Sequence, residues 1–420
     1  MDKLVVKGGG RLKGEVSVSG SKNAALPILA ATLLTDEKCV IKNVPQLRDV
    51  LTMLKILRAL GVKAQMSDNV AEIEPGGYKE WTAPYKLVST MRASICVLGP
   101  LVAKKRRAHV SIPGGCVIGP RPIDLHLKGI KALGADVKIE HGYVIAHAEH
   151  LRGNSIYLGG AFGSSVLATA NVMMAAVRAH GKTIIENAAC EPEIEDLSEF
   201  LKKMGARING AGTPLIEIEG VRKLGGAVHT VIPDRIEAGT YMVAGAMSHG
   251  DITIKDARFD HLGAVVDKLR EAGVDIVKEG QDIRVRARGP LKPIDVTTLP
   301  YPGFPTDMQA QAMALMSITE GISVITEKIY PDRFMHISEL NRMGAHIMKE
   351  GPSAIVKGVR KLSGAPVMAS DLRASAALVL AGLAAKGRTD ISRVYHLDRG
   401  YDKIEEKFSN LGADIHREKE

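Results

Sequence analysis

Hydrophobic and polar positions along the chain repeat on a long period. Six times an apolar stretch with helical spacing closes on Leu, Met or Ala, then Gly, then Ala or Val. The junctions are Leu60-Gly61-Val62, Leu133-Gly134-Ala135, Met204-Gly205-Ala206, Ala272-Gly273-Val274, Met343-Gly344-Ala345 and Leu411-Gly412-Ala413. Each glycine stands where a helix ends and the backbone turns to positive φ, a region glycine enters without steric cost. The residues that follow, such as Asp136-Val137-Lys138-Ile139, alternate as a half-buried strand does. The glycines recur about every 70 residues, which marks an internal repeat.

A second phrase lies about 40 residues upstream of each glycine within that repeat. A polar or charged start opens an Ala-rich run, near Lys22-Asn23, Arg92-Ala93-Ser94, Gly163-Ser164-Ser165, Asp234-Arg235, Asp307-Met308 and Arg373-Ala374-Ser375. Runs such as Ala374–Ala385 are apolar nearly all round, which predicts helices buried on every side. Two helices and several short strands per unit, six times over, predict an α/β repeat protein. The period is too long for a solenoid and suits compact subdomains, three to a domain, with helices inside and sheets outside.

The helix starts carry chemistry as well. Free N–H groups and the helix dipole make such ends attractive to anions. Ser94, Asp234 and Ser375 are accounted for as N-caps. Lys22, Arg92, Arg235 and Arg373 are not, because a cation opposes the dipole there. Their repeated placement points to an anionic ligand.

Composition narrows this further. A chain of 420 residues suffices for two or three domains with a sizeable core in each. The net charge of +9 agrees with anionic partners. The main basic run, Lys104-Lys105-Arg106-Arg107, has no interleaved aromatics, which argues against nucleic acid, and reads as a solvated loop between a helix and a strand. The cysteines Cys39, Cys96, Cys116 and Cys190 lie far apart and fit no metal spacing, as in a protein of the reducing cytoplasm. The first residues lack the apolar region of a signal peptide, and no apolar run reaches the ~20 residues of a membrane span. A cytoplasmic protein is expected.

One thiol stands apart. Ile112-Pro113-Gly114-Gly115-Cys116-Val117-Ile118-Gly119-Pro120-Arg121-Pro122 sets Cys116 in a run of Pro and Gly that excludes regular helix or strand. A loop thiol near a guanidinium exchanges its proton more readily than a core thiol. The alternative is a surface turn with an incidental Cys.

Longer stretches resemble one family throughout. Ser21-Lys22-Asn23-Ala24-Ala25-Leu26-Pro27, Thr90-Met91-Arg92-Ala93-Ser94, and the segment from Pro113-Gly114-Gly115-Cys116 through Arg121-Pro122-Ile123-Asp124-Leu125-His126 are similar to motifs of the bacterial UDP-N-acetylglucosamine enolpyruvyl transferases. So are Glu191-Pro192-Glu193, Pro233-Asp234-Arg235-Ile236-Glu237 and Phe304-Pro305-Thr306-Asp307-Met308-Gln309-Ala310-Gln311. Arg333-Phe334-Met335-His336, Asp371-Leu372-Arg373-Ala374-Ser375 and His396-Leu397-Asp398-Arg399-Gly400-Tyr401 complete the set, in order along the chain. The resemblance implies an α/β fold of two inside-out barrel domains of three repeats each, 22–231 and 1–21 with 232–420. They would be joined by a two-stranded hinge, with the active site in the cleft between them.

It implies transfer of the enolpyruvyl group of phosphoenolpyruvate to the 3-hydroxyl of UDP-N-acetylglucosamine, with release of phosphate, the committed step of peptidoglycan precursor synthesis. Lys22, Arg121 and Arg399 match the phosphoenolpyruvate ligands, with Asn23 and Arg92 beside them and Arg373, in the same motif set, a candidate to join them. Arg121, Pro122, Ile123, Asp124 and Leu125 match the nucleotide site, with Ile329 as an apolar wall, His126 toward the diphosphate, and Asn23 and Arg92 alongside. Asp307 matches the base at the sugar hydroxyl; read from its position alone, it is also a helix N-cap. Cys116 matches the proton donor to C3 and the thiol that forms a phosphothioketal adduct, on a loop that closes as a lid. Phosphoenolpyruvate is a co-substrate, and no cofactor, metal, nucleic acid or membrane partner is implied.

The chain departs from the family pattern at Ala161-Phe162-Gly163-Ser164-Ser165, where Ser-Val-Gly-Ala-Thr is common, at Cys190 in place of Arg, and at Pro331-Asp332 in place of Glu-Asn. Alternatives are the sister transfer to shikimate 3-phosphate, an RNA-binding or RNA 3′-phosphate cyclase-like protein, and a non-catalytic sugar-nucleotide sensor. The Pro-Gly-Gly-Cys loop, the lack of any motif requiring RNA, and the presence of both Cys116 and Asp307 weigh against them in turn.

Overall fold

The computed structural model describes residues 2–114 and 122–419. Two compact units divide them, one of residues 20–114 and 122–232, the other of residues 2–19 and 233–419. Each has its own apolar core. Each also has three four-stranded sheets, all six of one pattern: an edge strand pairs in parallel, and two antiparallel pairings complete the sheet.

The repeated glycine phrase explains that pattern. Gly61, Gly134, Gly205, Gly273, Gly344 and Gly412 have φ of +92°, +96°, +104°, +92°, +91° and +91°. Each ends an outer helix and starts the far edge strand of a sheet. Asp136–Glu140 then hairpins onto Tyr143–His147, with Glu140 opposite Tyr143. The alternation seen in the sequence becomes one face on the core and one on solvent.

The Ala-rich runs are the inner helices. They span Lys22–Ala31, Leu98–Lys105, Val166–Ala176, Arg235–Met247, Gln309–Ser317 and Leu372–Ala384. Nearly every residue of each is buried, as their all-round apolar character requires. Small side chains let them approach closely. A Cβ at Gly99 would lie 2.2 Å from the Asn171 carbonyl oxygen, while the Gly99 N–H donates to Asn171 Oδ1 at 2.7 Å.

Three local expectations are revised. Asp234 caps its helix, accepting from Ile236 and Glu237, but Ser94 and Ser375 cap nothing. Ser94 lies within the 3₁₀ turn Arg92–Val97, and Ser375 lies one turn inside a helix whose cap is Asp371, which accepts from Arg373 and Ala374. Asp371 precedes Ser375 by one helical turn and takes the free N–H groups first. The basic run is not a loop: Lys104 and Lys105 close the helix Leu98–Lys105, and Arg107 opens the strand Arg107–Ser111. Lys104 Nζ pairs with Asp36 at 2.6 Å, Lys105 Nζ bonds the Tyr78 carbonyl, and Arg107 stacks 3.4 Å from the Trp81 ring centre. Among the described residues no helix is long and apolar enough to cross a membrane.

Candidate active site

In the unit around residues 20–232, Ser21 fixes the first cation. Its Oγ accepts from Ala24 N at 3.3 Å, and its own N–H donates to the Ile232 carbonyl at 2.7 Å. Lys22 therefore begins the helix with its side chain drawn inward, 8 % exposed, and its Nζ lies 3.4 Å from Asp49 Oδ2. Asn23 beside it is half-buried. Arg92 opens the 3₁₀ turn that packs on this helix, and its Nη2 donates to the Pro122 carbonyl at 2.8 Å. That bond ties Arg92 to Pro122, which with Ile123 leads into the helix Asp124–Ala132, whose first turn holds Asp124, Leu125 and His126.

His126 is buried among these groups. Asn171 Nδ2 donates to the Ile95 carbonyl at 2.8 Å and faces His126 Nδ1 at 2.9 Å. Asn171 Oδ1 is already taken by Gly99 N–H, so Nδ2 is the donor and His126 Nδ1 the acceptor; the ring proton belongs on Nε2. Burial, with Arg92 beside it, pushes His126 down to about 3. Its imidazole is therefore neutral, with the N–H on Nε2.

The altered segment at 161–165 forms a tight turn. Gly160 and Gly163 exchange N–H···O bonds of 3.0 and 3.1 Å, and a Cβ at Gly160 would lie 3.1 Å from Leu125 Cδ1. Ser165 Oγ caps the helix Val166–Ala176, so one of the two hydroxyls after Gly163 is used structurally. Cys116 and Arg121 lie outside the described residues. Burial raises the thiols of Cys39 and Cys190 and pushes Cys96 up to about 12, so these three are held protonated.

In the other unit the groups converge on Asp307. This residue sits inside a 3₁₀ turn, Thr306–Met308, ahead of the helix Gln309–Ser317, and does not act as its N-cap. Its carboxylate instead lies between two guanidinia. Oδ1 accepts from Arg333 Nη1 at 2.9 Å, and Oδ2 accepts from Arg373 Nε and Nη2 at 3.1 and 3.0 Å. Both arginines are buried, at 6 % and 1 % exposure, while the Asp307 side chain keeps 27 %. Burial works against the Arg373 charge, but Asp307, Tyr401 and Asp234 together outweigh it and the guanidinium is held above its usual range. Arg373 also lies over the Tyr401 ring, 5.3 Å from its centre, and Tyr401 Oη is 2.8 Å from Thr240 Oγ1. Arg399 ends the 3₁₀ turn Val394–Arg399, half-buried. Ile329 is half-buried, just beyond the strand Ile322–Thr326.

Within each unit, then, the structure gathers Arg92 with residues 122–126, and Asp307 with Arg373. Arg333, which joins Asp307, is a residue that sequence spacing does not mark, because the two lie 26 residues apart with no local pattern between them. Among the described residues no group of three or more His, Cys, Asp or Glu could hold a metal ion.

The family model for EPSP synthase (3-phosphoshikimate 1-carboxyvinyltransferase) matches residues 6–408. The chain belongs to this family of enolpyruvyl transferases. Within it, the similarity is graded. A UDP-N-acetylglucosamine 1-carboxyvinyltransferase of Geobacter metallireducens is 58% identical and one of Myxococcus xanthus 57% identical, each aligned over 100% of both chains. Among solved structures, the enolpyruvyl transferase NikO from Streptomyces tendae is 25% identical with a TM-score of 0.89, covering 99% of this chain and 98% of its own. An EPSP synthase from Acinetobacter baumannii is 19% identical with a TM-score of 0.75 over 100% of both chains, and so shares the fold.

Proposed function

We propose that this enolpyruvyl transferase moves the enolpyruvyl group of phosphoenolpyruvate onto the 3-hydroxyl of UDP-N-acetylglucosamine and releases phosphate. The observation that carries this reading is the full-length identity of 57–58% to enzymes named for that acceptor, against 19% to an EPSP synthase of the same fold.

The chemistry asks for an anion site, a base and an acid. Phosphoenolpyruvate carries a phosphate and a carboxylate on three carbons, and bidentate guanidinia suit both. Lys22, Arg92, Arg121, Arg373 and Arg399 are assigned to it, with Asn23. Residues 121–126 and Ile329 are assigned to the sugar nucleotide. Asp307 takes the proton of the 3-hydroxyl as its oxygen bonds to C2, while Cys116 gives a proton to C3. The tetrahedral adduct then loses a C3 proton and breaks its C2–O bond to phosphate, restoring the double bond. Cations around the departing phosphate stabilise the charge that gathers there.

The pairing of Asp307 adds a step. Its carboxylate is ready-made as an anion between Arg333 and Arg373. To accept a proton it must be relieved of part of that pairing. An arriving phosphoenolpyruvate anion that recruits Arg373 would do so, coupling the base to occupancy of the anion site.

The Cys116→Ser protein tests the assignment. Calorimetry should register binding of UDP-N-acetylglucosamine and no heat with shikimate 3-phosphate, while phosphate release slows by about 10²-fold or more, as for loss of a general acid. Binding of shikimate 3-phosphate alone would contradict the acceptor; undiminished turnover would remove Cys116 from the acid role.

A further inference from the structure

A fully buried carboxylate next to the Asp307 cluster ties two parts of the site together. Glu327 directly follows the strand Ile322–Thr326 and is 0 % exposed. Its Oε1 accepts three hydrogen bonds, from Thr298 Oγ1 at 2.6 Å, Ile329 N at 2.8 Å and Tyr330 N at 2.9 Å. Its Oε2 accepts from Thr306 Oγ1 at 2.8 Å. The Thr306 hydroxyl has one proton, which goes to Glu327, so the 3.0 Å bond from Arg333 Nη1 falls on its lone pair. The same Nη1 reaches Asp307 Oδ1 at 2.9 Å. The donors thus run in one direction, from Arg333 through Thr306 to Glu327, and such chains polarise one another.

A buried carboxylate is costly unless several donors satisfy it, and four satisfy this one. Two of the four are backbone N–H groups of the turn that presents Ile329. A third belongs to the residue preceding Asp307. The charge is spent on the geometry of the site, not on the strand it follows.

We propose that Glu327 is a positioning residue for the transfer. Oε1 fixes the turn 327–330 that carries Ile329, and Oε2, through Thr306 and Arg333, fixes the Asp307 carboxylate. Glu327 itself touches no substrate. The proposal rests on the assignment of Asp307 and Ile329 to the sugar nucleotide.

The two oxygens can be separated by mutation. Glu327→Gln keeps one carbonyl oxygen for Thr298, Ile329 and Tyr330 and presents an N–H to Thr306. Thr306→Val removes both bonds of the Thr306 hydroxyl, the one to Glu327 Oε2 and the one from Arg333, and leaves the three bonds to Oε1 in place. Both should leave KM for UDP-N-acetylglucosamine within about 3-fold and lower kcat about 10-fold or more, the signature of an interaction used in the transition state. The acid limb of the kcat–pH profile should move in both, because Arg333 is no longer held against Asp307. Glu327→Ala should also raise that KM about 10-fold, through the freed turn. Rates are taken per folded site, counted by calorimetric binding of UDP-N-acetylglucosamine. Wild-type kcat and pH profile in folded Glu327→Gln and Thr306→Val would overturn the proposal, as would lowered thermal stability with kcat unchanged. Asp307→Asn serves as the reference: if it turned over normally, the base assignment beneath the proposal would fall first, and the proposal with it.

Discussion

At the scale of single residues, Asp307 is the pivot of the unit that holds it. The pattern of the sequence suggested a helix cap, but both oxygens are committed to arginines 26 and 66 residues away. That changes what a truncation would do. Asp307→Ala leaves two buried guanidinia without their carboxylate, so it should cost stability as well as turnover, about 3 kcal/mol by analogy with other broken buried pairs. Asp307→Asn keeps the shape and is the cleaner probe: phosphate release should fall by about 10²–10⁴-fold, the range for loss of a general base, with UDP-N-acetylglucosamine still bound. Near-normal release by that variant would move the base elsewhere. The neutral histidines make a second prediction. Burial, with Arg92, holds His126 near about 3, and burial holds His336 near about 4, both below the ordinary 6.5. The unfolded chain therefore takes up these protons first as pH falls. Their contribution to stability is full above pH 6.5 and is lost on going lower, by about 1.4 kcal/mol per pH unit for each histidine between its two pKa values. Urea midpoints from pH 7.5 to 5 should fall accordingly, and His126→Gln should lose its share of the slope. An unchanged slope in that variant would contradict the buried, neutral His126.

At the scale of elements, the repeat was legible because its signals are local. A glycine at a helix end and an Ala-rich helix announce themselves within a few residues, and all six glycines have the expected positive φ. The partners of a buried polar group are not local. Thr298, Thr306, Ile329 and Tyr330 meet Glu327 only through the sheet and turn geometry, and no periodicity marks that carboxylate as buried. Ser94 and Ser375 show the same limit, since each lies near a helix start yet another residue or a 3₁₀ turn occupies the capping position. Two glycines test the difference between torsion and space. A Cβ at Gly205 meets nothing within 4 Å, but its φ is +104°, so Gly205→Ala should cost about 1–2 kcal/mol from the backbone alone. Gly99→Ala drives a methyl into the Asn171 carbonyl and should cost about 3 kcal/mol or more. Chemical denaturation of the two variants checks the order; equal losses would contradict it.

At the scale of the whole molecule, six copies of one α/β motif make two three-sheet units, each with a separate core. Family resemblance ran through the chain from Ser21 to Tyr401, and full-length relatives share it. The sheets and inner helices could be read from spacing; the choice of acceptor could not, because an EPSP synthase has the same fold. The motifs at 21–27 and 113–126 carried that choice, and part of the second lies outside the described residues. The acceptor is therefore the claim to test. Inorganic phosphate released from phosphoenolpyruvate should be measured with UDP-N-acetylglucosamine or with shikimate 3-phosphate as the second substrate. Stoichiometric phosphate is expected with UDP-N-acetylglucosamine and none above background with shikimate 3-phosphate; release only with shikimate 3-phosphate, or with neither, would refute the assignment of the acceptor.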